Sequence, residues 1–311
     1  MPTPDPVPLT VITGFLGGGK TTYLNELIRQ GLPPDSLIVV NDFGDINIDA
    51  ELIDYRDDRI LQLGNGCICC TLGGTLAEQL AQAMRMEQRP GAIYIEASGV
   101  AEPARIADIA RVSRQLRLES VVCLIDASQI SHHAQSRYTA DVWRAQIAAS
   151  DQLIINRLPA DGSVEYARAL AILRDLNGPA MQALNDGLQA PSAIARTVPT
   201  TDRLTPVPPA AASENSWGSV SVKYAAAIDA ARLEQLLGEY ADVLLRAKGI
   251  LERLDRDGPQ VLQLSGRSIR WLAATRAAAG NHLVCIGIKG ARFDELGARL
   301  MQLERTQDSR H

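Results

Sequence analysis

Two clusters of residues in this chain carry chemistry by their type and spacing. Gly14-Phe15-Leu16-Gly17-Gly18-Gly19-Lys20-Thr21 is a complete G-x-x-x-x-G-K-[ST] loop. Its glycines let backbone N–H groups turn onto phosphates, Lys20 is expected at the β- and γ-phosphates, and the Thr21 hydroxyl is expected on Mg²⁺. Cys67, Cys69 and Cys70 follow a Gly64-Asn65-Gly66 turn and place three thiols within four residues. Three such thiolates fill three corners of a tetrahedron, with the fourth ligand from elsewhere, a water or a partner. Their softness favours Zn²⁺, Cu⁺ or iron–sulfur over Mg²⁺. Small buried hydrophobes and a redox sensor are the competing readings of the trio. An ordinary glycine-rich turn is the competing reading of the loop.

Further acids and amides extend the nucleotide signal. Ile93-Tyr94-Ile95-Glu96-Ala97-Ser98-Gly99 is an apolar strand ending in Glu-x-x-Gly. An acid there holds Mg²⁺ in P-loop proteins, usually through water, and the Gly99 amide is placed to sense the γ-phosphate. A strand-capping acid is the alternative. Asn41-Asp42-Phe43-Gly44-Asp45 and the acids after it form a carboxylate-rich loop, read either as metal-touching or as a solvated acidic segment. Asn156-Arg157-Leu158-Pro159 stands where GTPases carry N-K-x-D. Asn156 is kept, Arg157 offers a stem to stack on the base, and Pro159 has no carboxylate for guanine. Asp161 lies two residues on, so GTP versus ATP stays open.

The elements needed to hold these residues alternate. Val7–Thr13 reads as a strand, and Tyr23, Leu24, Leu27 and Ile28 mark one face of the helix after the loop, which Gly31 and Pro33-Pro34 end. Apolar runs at Ser36–Asn41, Ala92–Glu96, Ser120–Asp126 and Gln152–Asn156 suit strands buried on both faces, with helical patterns such as Leu76–Arg89 and Val164–Leu176 between them. The fold class expected is α/β: a doubly wound, mostly parallel P-loop sheet, with the site at the strands' carboxyl ends. Pro, Ala and Ser enrichment makes residues 199–216 an expected linker between a domain at 1–198 and a smaller α+β domain at 217–311. In that smaller domain, strands are expected near Ser219–Val222, Gly249–Leu254, Gln260–Leu264 and His282–Ile288. Helices are expected at Asp229–Leu245 and Arg292–Arg305.

Bulk properties narrow the class. The 311 residues carry a net charge of −5, which argues against non-specific nucleic-acid binding. No apolar stretch is long enough for a bilayer, and residues 1–6 lack a signal-peptide pattern, so a cytoplasmic protein with reduced thiols is expected. Cys123 and Cys285 read as core. His132-His133 reads as a surface pair, with an imidazole ligand as the alternative.

Together, Gly14–Thr22, Asn41–Asp45, Gly66–Cys70 and Glu96-Ala97-Ser98-Gly99-Val100-Ala101-Glu102-Pro103 resemble the CobW-type metallochaperone GTPases of the SIMIBI class, in order and spacing across roughly residues 9–160. Arg246-Ala247-Lys248-Gly249 and Trp271 resemble that family's C-terminal domain. The resemblance implies that Gly17, Gly18, Gly19, Lys20, Thr21 and Thr22 hold GTP. It also implies that Cys67, Cys69 and Cys70 form the cargo site, and that Asp42 and Asp45 belong to the loop linking the two. It implies slow GTP hydrolysis with Mg²⁺ and delivery of a transition metal, Zn²⁺ or Co²⁺, to a client metalloprotein, with a homodimer left open. The departures are Asp42 and Asp45 where the family has Glu, Pro159 in place of the guanine-reading Asp, and no His-rich tract. A metal store or sensor without turnover, and an ATP-using P-loop enzyme, are the other functions compatible with these residues.

Overall fold

A computed structural model describes residues 5–41, 60–63, 74–136, 138–180, 217–265, 268–274 and 281–303. The thiol trio, Asp42, Asp45 and the expected linker at 199–216 lie outside them. Described residues 5–180 fall in one compact unit and 217–303 in a second.

The first unit is the expected α/β layer structure. Strands β1 (Val7–Thr13), β2 (Ser36–Asn41), β3 (Ile60–Leu63), β4 (Ala92–Glu96), β5 (Leu116–Asp126) and β6 (Gln152–Asn156) form one sheet in the order β3-β2-β4-β1-β5-β6. Every pairing in it is parallel. Helices α1 (Lys20–Gln30), α2 (Gly74–Ala83), α3 (Pro103–Val112), α4 (Ile130–Gln135), α5 (Ala140–Ala148) and α6 (Val164–Asn177) connect the strands. Parallel strands need such crossovers, and covered faces explain the unbroken apolar runs. All five residues of β4 are buried. Val11, Ile93 and Ile95 pack with Leu76 and Leu80 of α2 and Ile106 and Ala110 of α3. Pro103 opens α3, and the Ser163 hydroxyl caps α6 by accepting from the Tyr166 amide.

Several boundaries differ from the sequence pattern. Helix α2 stops at Ala83 rather than running on to Arg89. Met84 and Met86 close a last turn, and Pro90-Gly91 cannot continue a helix. Strand β5 starts four residues before Ser120, because Val7 and Leu9 of β1 pair with Leu116 and Leu118. The sequence also gave no sign of β3, a short edge strand fixed by its partner β2.

The second unit is an antiparallel sheet of β7 (Trp217–Lys223), β8 (Leu244–Arg253), β9 (Arg256–Ser265), β10 (Ser268–Ala273) and β11 (His282–Ile288), ordered β10-β9-β8-β11-β7. Helices α7 (Ala230–Glu239) and α8 (Ala291–Gln302) bury Leu233, Leu237, Phe293, Leu296 and Leu300 against Ala247, Leu251, Leu262 and Leu283. Each fully buried leucine contributes about 1.5–3 kcal/mol. Asp229 caps α7 by accepting from the Arg232 amide at 3.1 Å. The helix expected to reach Leu245 ends at Glu239 because Leu244 opens β8 and pairs there with Gly287 of β11. Strand β10 escaped the sequence reading: most of its residues are exposed, so it lacks a long apolar run.

Candidate nucleotide-binding site

The loop between β1 and α1 lies across the carboxyl end of the first sheet. Gly14 has φ +133°, and a Cβ there would fall 2.3 Å from the Leu124 carbonyl oxygen of β5, so only glycine fits. The Gly18 amide donates to Phe15 O at 3.1 Å and turns the loop back. Helix α1 then starts with Gly19 at its cap, with no side chain capping the first amides. Those donors and the helix dipole face the loop, the arrangement that binds phosphate.

The charged and hydroxyl groups converge here. Lys20 is buried, and its ammonium donates to Gly14 O at 3.0 Å and Phe15 O at 3.4 Å. The Thr21 hydroxyl donates to Glu96 Oε1 at 2.8 Å. Glu96, at the end of β4, is 1% exposed and sits in register with Ile12 and Val40. A hydroxyl and a buried carboxylate side by side form a hard-oxygen pair that suits Mg²⁺. Thr22 is exposed on the first turn of α1.

On the other side of the loop, Asn156 Nδ2 donates to Gly18 O at 2.8 Å. Its Oδ1 is buried with no hydrogen-bond partner among the described residues. The adjacent Arg157 adopts φ +53°, and its guanidinium pairs with the buried carboxylate of Asp126. Asp126 also accepts from the Ser128 amide at 3.0 Å and hydroxyl at 2.6 Å. Asp161 is exposed in the turn before α6.

The histidine pair splits. His132 is exposed, whereas the His133 ring packs on Phe15 of the loop, with centroids 4.6 Å apart. Burial is the main cause that pushes the His133 pKa down to about 4; His132 adds to the shift and Asp126 opposes it. Reading both as surface residues was therefore half right, because nothing in the sequence pairs His133 with Phe15. Cys123 and Cys285 are buried within strands, and burial pushes each thiol to about 12. Among the described residues, no group of three or more His, Cys, Asp or Glu could hold a metal ion. No helix among them is long and apolar enough to cross a membrane.

Gln146 of α5 is a residue at this site that the sequence did not single out. It is fully buried, and its amide donates to Gly99 O and Ala101 O. A polar residue on an amphipathic helix gives no sequence signal of what it touches.

Comparison with known proteins adds the following. The nucleotide-binding domain of the CobW/HypB/UreG family matches residues 8–181, and the cobalamin synthesis protein CobW C-terminal domain matches residues 217–304. A zinc chaperone CobW from a Sinorhizobium species is 31% identical over 134 residues, which are 40% of this chain and 38% of that protein. The zinc chaperone YjiA of Escherichia coli K12 is 24% identical over 270 residues, 79% of this chain and 82% of that protein. The crystal structure of Zn(II)-bound YjiA GTPase from E. coli is similar over 96% of this chain and 99% of that one, at 22% identity and a TM-score of 0.45. The chain thus spans well under half the length of the first of these relatives.

Proposed function

The chain belongs to the CobW/HypB/UreG family, and on that premise we propose that it is a slow P-loop GTPase acting as a metallochaperone. In this reading, GTP binding and hydrolysis are coupled to transfer of a transition metal to a client metalloprotein in the cytoplasm. The observation that carries it is the Thr21–Glu96 pair at 2.8 Å beside the buried Lys20 and the uncapped start of α1.

GTP with Mg²⁺, when bound, supplies the phosphoryl chemistry. Lys20 and the amides of Gly17, Gly18 and Gly19 hold negative charge at the β- and γ-phosphates, and Thr21 with Glu96 orients the cation. Asn156 fixes the loop through Gly18, and Arg157 lines the base side. The cargo is held by Cys67, Cys69 and Cys70, with Asp42 and Asp45 in the segment between the thiols and the nucleotide. Zinc is the first cargo to test, because two relatives of this chain are named zinc chaperones.

The test measures GTP turnover with and without Zn²⁺ or Co²⁺, in the wild type and in a Cys67→Ser, Cys69→Ser, Cys70→Ser variant. Metal-dependent turnover that vanishes in the variant supports the reading. Turnover indifferent to metal in both proteins removes the metallochaperone part. Equal use of GTP and ATP removes the guanine part.

A further inference from the structure

We propose that Gln146 is a positioning residue for the triphosphate state: it holds the turn Ser98–Ala101 against the phosphate loop, so the protein tells GTP from GDP. This rests on the nucleotide reading above. The turn starts two residues after Glu96 and is closed by the Ala101 amide donating to Ser98 O at 3.0 Å. On one side it rests on the phosphate loop: a Cβ on Gly99 would lie 2.4 Å from Leu16 Cδ2 and 3.0 Å from Leu16 Cα. On the other side the Gln146 amide donates to Gly99 O and to Ala101 O, both at 3.1 Å.

Both acceptors are carbonyls, so only the NH₂ end of Gln146 can face them, and its orientation is fixed by chemistry. The bonds act on two successive levels. The turn's own bond through Ser98 O sets the peptide plane that carries the Gly99 amide. Gln146 sets the next plane through Gly99 O and the far end of the turn through Ala101 O. The amides beside the loop thereby keep one direction before any ligand arrives.

The helix that carries Gln146 is itself fixed. Asn177 of α6 is buried and donates to Ile147 O at 2.7 Å and Ser150 O at 2.8 Å, and the Ser150 hydroxyl donates to Gln146 O at 2.6 Å. An apolar side chain at position 146 would fill the same core without desolvating an amide. The amide therefore gains its value from the two carbonyls it aims.

The test compares Gln146→Met, which keeps length and volume without donors, with the wild type for binding of GDP and of a non-hydrolysable GTP analogue. We expect GDP affinity to stay within about twofold and analogue affinity to fall about tenfold, the effect of freeing a turn held by two buried hydrogen bonds. A parallel loss for both nucleotides makes Gln146 a packing residue and overturns the inference, as does no loss at all. If the variant does not fold, hydrogen exchange in the wild type decides. Equal protection of the Val100 and Ala101 amides, which donate within the turn, with GDP and with the analogue supports a pre-set turn, and protection of these two gained only with the analogue overturns it. A wild type that binds neither nucleotide removes the nucleotide reading and this inference together, whereas a wild-type GTP preference that survives Gln146→Met removes this inference alone.

Discussion

The two sheets of this protein spend their polar residues differently. At the carboxyl end of the parallel sheet, Glu96, Asp126 and Gln146 are buried and bonded to residues far apart in sequence, and the buried Lys20 is bonded to its own loop. On the helix-covered side of the antiparallel sheet, leucines and Phe293 fill the core. There the ion pairs lie at the surface, as Arg292 with Asp242 and Arg299 with Glu239. Buried polar groups cost free energy unless fully bonded, whereas exposed pairs cost and contribute little. The parallel sheet thus retains groups that an apolar core would stabilise as well, which marks that end as the chemical one. The antiparallel sheet is built for packing on this side.

Four substitutions or conditions test that contrast, and the largest effect is expected at Lys20. Lys20→Ala should lower triphosphate affinity about a hundredfold, since it removes charge-assisted bonds to phosphate. Calorimetry should show the loss while circular dichroism shows an unchanged fold. Retained affinity would remove the phosphate loop from the site. Next comes Gly99→Ala, whose Cβ meets the Leu16 backbone as well as its side chain. Overpacking of this kind costs about 1–3 kcal/mol, readable as a lower chemical-denaturation midpoint. A neutral result would mean that the turn yields freely and is not pinned on the loop.

A smaller effect, confined to acid, is expected from His133. Its folded pKa is depressed to about 4, from an ordinary value of 6.5. Below pH 6.5 the unfolded chain binds the extra proton first. Its contribution therefore destabilises the fold progressively as pH falls from 6.5 to about 4, and stability rises with pH across that window. His133→Gln should flatten the pH dependence of the thermal midpoint there, and an unchanged slope would show that the ring is hydrated. The smallest effect, and of opposite sign, is expected in the second unit. Gly238 lies in α7 with nothing near its Cβ position. Gly238→Ala should stabilise by about 0.5–1 kcal/mol. A loss instead would mean that this helix surface is in contact with something.

The nucleotide signature was legible because it is local. Gly14 to Thr21 follows a strand and opens a helix, and strand β4 delivers Glu96 at its end. The family resemblance drawn from these motifs agrees with the family match over residues 8–181. The five longer strands of the first sheet were readable for the same reason. Edge strands β3 and β10 were not, because their pairing partners fix them and their own side chains carry no clear pattern. The helix ends at Ala83 and Glu239 were misjudged because apolar spacing continued beyond the point where turns and pairing took over.

The sequence by itself determined the kind of chemistry: a phosphate loop, an acid three residues before Gly99, an Asn-Arg pair at the last parallel strand and a cluster of three thiols. Those are runs of a few residues whose types and spacing suffice. Only the tertiary structure decided that Asn156 ties down Gly18, that Asp126 holds Arg157, that His133 covers Phe15 and that Gln146 carries the turn after Glu96. Each of these contacts joins the ends of different strands and helices. Their positions follow from strand order in the sheet, and strand order is set by burial of whole faces, which no short stretch of sequence records.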